Sequence, residues 1–319
     1  MRIGTSLFLP VFGATVFLSF LLFVPIRNSY CMDIVPQLIA NSIIAGSIYT
    51  ILALGFNLIF STAKFIDMGY GVLTAVCGYG VFFLSSKLGF SLAFSIPVAL
   101  LVSGLVSFSA YKLIYRPLRA RKASGAILLI ASLGVLFFLQ AILAIIFTSQ
   151  FQGLSSILTS NQTLELWGGT MTELQVITTG IALVLSLIVL IFLKGSRFGK
   201  AIIAISDDEE VSKIIGIDTD NLIGIVFFIG GIIGGLGGIL IGLDTGIEPT
   251  MGLPWFLSAA SAAIIGGIGN VYAGIAGAFF LAFVENFGIW KVAGEWRLTI
   301  VFVVLLVFLT WRPQGMFPR

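Results

Sequence analysis

The chain has 319 residues, of which 58% are hydrophobic and only 10% charged, with a formal net charge of +3. A soluble domain carries about 25% charged residues, so no water-facing surface could be covered here, and the composition defines a polytopic membrane protein. The small net charge gives nucleic-acid binding no electrostatic footing. The absence of histidine removes the commonest general base and metal ligand. The two cysteines, Cys31 and Cys77, make neither a disulfide framework nor a metal site.

A helix that crosses a bilayer needs about 20 apolar residues. In chain order the expected spans are Thr5–Ile26, Gln37–Phe60, Ile66–Leu84, Ser91–Leu113, Ser124–Phe147, Leu174–Leu193, Asn221–Leu243, Val271–Trp290 and Leu298–Trp311. The first run is longer than a signal-peptide core and lacks a small-x-small cleavage site, so it reads as a retained helix. A further apolar piece, Leu257–Ile268, is short. It either crosses steeply with its flanks or forms a half-helix buried in protein. The fold class is therefore all-α: one transmembrane domain over residues 1–319, with about nine or ten segments. Residues 1–33 hold the extra N-terminal helix and residues 195–220 a cytoplasmic loop.

Basic residues concentrate on the cytoplasmic side of membrane proteins. With a cytoplasmic N-terminus and alternating spans, Arg2, Lys64, Lys112, Arg116, Arg119, Arg121, Lys122, Lys194, Arg197, Lys200, Lys213, Arg312 and Arg319 lie inside. Arg27, Lys87, Lys291 and Arg297 lie outside, and reversing the chain would reverse this bias. Both termini are expected in the cytoplasm. The polar loop Thr148–Thr172, with no Lys or Arg, is expected outside, as is Asp244–Pro254. Glycine clusters in GGIIGGLGG (Gly230–Gly238) and GNVYAGIAGA (Gly269–Ala278). Small residues at four-residue spacing let membrane helices approach closely, as static contacts or as a moving interface.

The segment Gly199–Asp218 is unlike its surroundings. It holds Asp207, Asp208, Glu209, Glu210 and Asp218, five of the chain's 14 acidic residues. Ser206–Ile215 reads as a short helix with Ser206 as N-cap. The four consecutive acids fill the first turns, where the helix dipole favours negative charge. Gly216 follows as terminator. Val211, Ile214 and Ile215 make one apolar edge on an acidic helix. On this pattern the segment is either a solvated loop or a helix that docks in a partner's groove.

RFGKAIIAISDDEEVSKIIGIDTDNLIG resembles the cytoplasmic coupling segment of Liv-type branched-chain amino acid ABC transporter permeases, through Gly199, Lys200, Ala201, Asp207, Gly216, Ile217 and Asp220. PTMGLPWFLSAASAAIIGGIGN is similar to the family's later glycine motif at Pro249, Gly252, Gly266, Gly267, Gly269 and Asn270. GAFFLAFVEN places Glu285 at the family's late membrane glutamate, and the chain's end carries Arg312, Pro313, Gln314 and Gly315 of a terminal Arg-Pro-x-Gly. The likeness covers Pro36 to Phe317. Three positions depart from it: Asp67 stands for an Asn, Tyr70 for a His and Ser258 for a Lys.

The resemblance implies a permease subunit of an ATP-driven importer of branched-chain or related amino acids. No Gly-x-x-x-x-Gly-Lys-Ser/Thr occurs, so ATP and Mg are expected on a separate P-loop ATPase. The chain itself is expected to be no enzyme and to carry no catalytic residue, metal or cofactor. The other implied partners are a second permease, either a paralogue or a second copy, an extracytoplasmic substrate-binding protein and membrane lipid. The expected ATPase contacts are Ser206, Asp207, Asp208, Glu209, Val211, Ile214, Ile215 and Gly216. Asp67, Tyr70, Ser258 and Glu285 are candidates for the translocation path. An ionisable residue in a membrane segment is a site candidate by default, with a structural hydrogen bond as the plainer role. Asp244 and Glu248 flank the outer mouth, where the binding protein would dock. The alternative reading is an ATP-independent transporter or channel for small polar solutes.

Overall fold

The structure is a computed structural model that describes residues 31–154, 163–166, 169–290, 292–312 and 315–317. The expected first helix, Thr5–Ile26, lies outside them.

The helices are α1 (Cys31–Ala63), α2 (Gly69–Phe82), α3 (Leu92–Ala110), α4 (Arg116–Ala120), α5 (Gly125–Phe147), α6 (Glu173–Gly195), α7 (Arg197–Asp207), α8 (Glu209–Ile214), α9 (Thr219–Thr245), α10 (Gly252–Gly266), α11 (Val271–Ile289) and α12 (Arg297–Trp311). A π-helical segment, Tyr111–Tyr115, joins α3 to α4 without a break. Among the described residues eight helical stretches are long and apolar enough to cross a membrane, and the short α10 is a ninth apolar helix. The apolar runs lie at the expected places, and polar caps set several of the ends. Thr172 accepts the Gln175 amide at the start of α6, Asp218 accepts the Asn221 amide at α9, and Asn270 accepts the Tyr272 and Ala273 amides at α11.

A small antiparallel hairpin, β1 (Thr163–Leu166) with β2 (Gly169–Thr172), stands in the loop before α6. Gln37 of α1 holds it through Thr170. Gln152 pairs with Ile247 across the turn after α9, and Gln175 donates to Asp244. These contacts define one face of the bundle. On the opposite face Lys64 reaches Ser206, Arg119 reaches Glu209 and Arg116 reaches Asp220. The C-terminal residues Met316 and Phe317 donate their amides to Ile265 and Gly266 at the end of α10, and Gly269 beyond that end donates to Asn57 of α1.

Helices α1 and α9 form the centre, 89% and 72% buried over their most apolar windows, against 22% for α5 and 11% for α12. The glycine run explains how α9 reaches the middle. A Cβ on Gly234 would meet the Tyr70 ring at 2.9 Å, and one on Gly238 would meet the Thr74 carbonyl oxygen at 2.1 Å. Those glycines lie against α2, while Gly231 lies against Ser103 and Ser107 of α3. The second glycine cluster does the same for α10 and α11, where a Cβ on Gly277 would meet the Ala262 carbonyl oxygen at 2.1 Å.

The short apolar piece is α10, 15 residues long. At 1.5 Å per residue that is about 22 Å, short of a hydrocarbon core of about 30 Å. Its first residue, Gly252, is buried on the backbone of Gly71. The helix therefore starts inside the bundle, and before it Ile247, Pro249 and Met251 are buried while Glu248 and Thr250 are exposed.

Candidate functional site

The charged segment forms two helices meeting at an elbow. Ser196 caps α7 by accepting the Gly199 amide at 2.8 Å. The apolar side of α7, Ile202 and Ile205, is buried against the bundle. This burial carries α7 through Ser206, which corrects the expected start of the coupling helix. Ser206 is not the N-cap; it is a buried residue of α7 whose carbonyl oxygen accepts from Lys64 Nζ at 2.5 Å. Asp208 is the cap of α8 instead, and its Oδ1 accepts the amides of Glu210 at 2.8 Å and Val211 at 3.0 Å. Gly216, at φ +88°, ends the segment in the left-handed region that glycine tolerates. The apolar edge is where the sequence puts it and is bare: Val211 and Ile215 are exposed, and Ile214 is 83% exposed.

Glu209 is held inside this chain. Its Oε2 accepts from Arg119 at 2.6 Å and its Oε1 from Lys213 at 2.8 Å. Arg119 also donates to the Tyr111 hydroxyl at 3.4 Å. Tyr115, one turn from each, donates its hydroxyl to Asp67 Oδ1 at 2.7 Å. That same oxygen accepts the Gly69 amide at 2.9 Å. Asp67 sits in the break between α1 and α2, beside Phe65, whose ring meets Tyr115 edge-on at 5.1 Å. Burial pushes the Asp67 carboxyl up to about 6, against the hydrogen bonds from Tyr115 and the Gly69 and Tyr70 amides that hold it down. Tyr70 is fully buried next to it and donates to the Leu52 carbonyl oxygen at 3.0 Å, in space left by Gly55 and Gly234.

Glu285 is the second buried carboxylate. Its side chain has no exposed surface; it accepts from the Tyr49 hydroxyl at 2.8 Å and forms an ion pair with Arg297 Nε. The Arg297 guanidinium lies 5.4 Å from the Trp255 ring centre, and Tyr49 and Trp255 are themselves in ring contact. Ser258 is buried on α10, beside Tyr49. The four path candidates thus divide into two places. Asp67 and Tyr70 lie at the α1–α2 break, and Ser258 and Glu285 lie where α1, α10, α11 and α12 meet. Tyr49 and Leu52 of α1, three residues apart, are the contact points.

The family of branched-chain amino acid transport system permease components matches residues 38–309. The chain belongs to that family. The permease is 25% identical over 295 residues to the high-affinity branched-chain amino acid transport system permease protein BraD of Pseudomonas aeruginosa, covering 89% of this chain and 95% of BraD. It is 26% identical to LivH of Escherichia coli, a permease protein of the same description, over the same shares. It is also 26% identical over 277 residues to the autoinducer 2 import system permease protein LsrC of Yersinia pseudotuberculosis, covering 82% and 71%. Among solved structures, PsaBC of Streptococcus pneumoniae in complex with Fab aligns over 87% of this chain and 92% of that one, at TM-score 0.49 and 14% identity.

Several residues of the permease's site escape a reading by spacing. Tyr115 finds Asp67 across 48 positions and Tyr49 finds Glu285 across 236. Arg297 is expected in an outer loop; it starts α12 and pairs inward with Glu285. Arg119 is visible only as one of several basic residues before α5. The periodic spacing Tyr111, Tyr115, Arg119 is the one signal that could have linked them, since residues four apart share a helix face. A cleft of about 230 Å³ separates α7 from the ends of α1 and α11, between Leu58, Leu193, Ile203, Ser206, Asn270 and Tyr272. Lys194 sits at its edge with its ammonium 5.0 Å from the Tyr272 ring centre. Among the described residues no three His, Cys, Asp or Glu gather closely enough to hold a metal ion.

Proposed function

We propose that this multi-pass membrane protein is the permease subunit of an ATP-driven importer of branched-chain or related amino acids, working by alternating access across the cytoplasmic membrane. ATP and Mg bind a separate P-loop ATPase. A second permease, paralogue or identical copy, completes the pathway, and an extracytoplasmic binding protein delivers substrate to the face that carries the β-hairpin. The face that carries α7 and α8 is cytoplasmic on this reading, because Lys64, on the Ser206 carbonyl oxygen, gathers there with Arg116 and Arg119 and the acids those two arginines pair with. The C-terminal residues lie on that face, and an N-terminal helix before α1 would bring the N-terminus to it as well. BraD and LivH, whose descriptions name branched-chain amino acids, align over 95% of their length, which favours that substrate class over the signal molecule named for LsrC.

One observation carries the reading: α8 is a capped helix, tied to the bundle, whose apolar edge is exposed among the described residues. Such an edge on a polar face suits insertion into a groove of a partner. Expression of the tagged chain with its genomic neighbours, extraction in mild detergent and identification of what co-purifies tests this directly. A stoichiometric P-loop ATPase that is lost when residues 208–215 are scrambled supports the proposal. A chain that purifies alone and moves leucine in liposomes without ATP refutes it.

A further inference from the structure

We propose that Arg119 and Tyr115 are positioning residues that carry movement of α8 to the α1–α2 break, so that the permease is geared through the continuous helical stretch of α3 and α4. This rests on the importer reading for its purpose, but the link is a property of this chain. Three contacts build it. The Arg119–Glu209 ion pair ties α8 to α4, with both side chains largely shielded, at 15% and 23% exposure. Tyr111, Tyr115 and Arg119 recur every four residues along one continuous helical stretch, so a displacement of Arg119 displaces the tyrosines with it. Tyr115 then holds Asp67, which in turn holds the amide of Gly69, the first residue of α2.

The surroundings make this path stiff beyond the ion pair. The Tyr111 and Tyr115 rings both lie against Phe227 of α9, at 4.9 and 5.6 Å, and Phe65 closes the other side of Tyr115. Rings wedged this way transmit displacement because a close-packed interior has no slack. The stretch Tyr111–Tyr115 is π-helical. Such segments are rare and concentrate at functional sites. At the receiving end, Lys64 holds the left-handed conformation at φ 59° and Tyr70 reaches the carbonyl oxygen of Leu52 in the central helix. Lys213 supplies an internal control: it pairs with the same Glu209 carboxylate, but from α8 itself, so it ties α8 to nothing else.

The link is read first on the permease alone, in detergent, by hydrogen exchange at the Gly69 and Tyr70 amides. R119A and Y115F are each expected to speed exchange roughly ten-fold, and R119A/Y115F no more than the faster single variant, because the two act in series. K213A and R119K are expected to stay close to wild type. Unchanged exchange in R119A, or effects that simply multiply in the double variant, overturns the proposal. The second measurement is leucine moved per ATP hydrolysed, using the complex that co-purifies, in liposomes. R119A is expected to keep its ATPase and lose roughly ten-fold in this ratio, within the range of measured coupling factors. An R119A complex with an unchanged ratio overturns the gearing and leaves the importer reading standing. A wild-type chain that recruits no ATPase overturns the importer reading, and the exchange result then stands by itself.

Discussion

Asp67 is a buried carboxylate that hydrogen bonds hold and that has no ion pair among the described residues, and replacing it with Asn tests that description. In the folded chain its carboxyl rises from 3.8 to about 6 because burial penalises the charge more than Tyr115 and the two amides favour it. Between those values the folded state holds a proton that the unfolded chain has released. The contribution of Asp67 to stability is therefore fully present below pH 3.8, falls as pH rises, and levels off above about pH 6. The size of the fall is about 3 kcal/mol, at ~1.4 kcal/mol per tenfold in the proton equilibrium. Asn keeps the oxygen that accepts from Tyr115 and Gly69 and never ionises. D67N is thus expected to match wild type near pH 4 and to exceed it by an amount approaching 3 kcal/mol above pH 6, or several degrees in melting temperature. Thermal unfolding of both proteins in detergent from pH 4 to pH 8 measures the difference. A difference that does not change with pH, or a variant that loses stability relative to wild type as pH rises, refutes the burial argument.

Other substitutions separate the roles of the remaining residues. I214D changes a residue that is 83% exposed, so unfolding should move by no more than about 0.5 kcal/mol, while ATPase co-purification should fall at least roughly ten-fold. R297A strands Glu285 with Tyr49 alone; removing one partner of a buried ion pair costs about 3–5 kcal/mol, and R297A/E285Q should recover most of the lost melting temperature. Y49F leaves the ion pair and should cost less, about 1–3 kcal/mol. G238A drives a Cβ into the Thr74 backbone and should destabilise by about 1–3 kcal/mol. G180A, on α6 with nothing within 4 Å of the new Cβ, should be neutral or gain up to about 1 kcal/mol.

What the sequence revealed follows from what lipid demands. Among the described residues each long apolar run is a helix because a spanning backbone must satisfy its own hydrogen bonds, and the glycine clusters mark close helix contacts because a missing Cβ leaves the same room in any bundle. The apolar edge of α8 was legible from three residues at helical spacing. Its start was not, because Ser206 and Asp208 are both good caps and the decision lay in Ile202 and Ile205, whose burial extends α7. In the sequence the four consecutive acids read alike as first-turn charges, yet Asp208 is consumed by capping and Glu209 by Arg119 and Lys213. No local rule assigns Arg119 to Glu209 across 90 positions. The Glu285 cluster was half legible: an acid in an apolar run announces a partner, but the partner was an arginine counted with the outer loops.

The buried carboxylates also bear on whether the permease could run without ATP. A carrier driven by an ion gradient needs an acid that can exchange its partners with water as the site opens to each side. Glu285 is wholly shielded and both of its oxygens are engaged, one by Tyr49 and one by Arg297. To release a proton or a cation it would first have to break an ion pair whose cation is braced on Trp255. Asp67 lies at the end of the bundle that carries α8, under Tyr115, with its charge already disfavoured by burial. Asp244 ends α9 at the opposite face and is held by Gln175. These three acids are spread over both ends of the bundle and its α1–α11 contact, each with its own partner. Ion-driven exchange asks for the reverse: one acid, alternately exposed, in the middle of a path. On the proposed importer reading work enters from outside the membrane, and α8, with its exposed apolar edge and its ion pair to Arg119, is the element proposed to receive it.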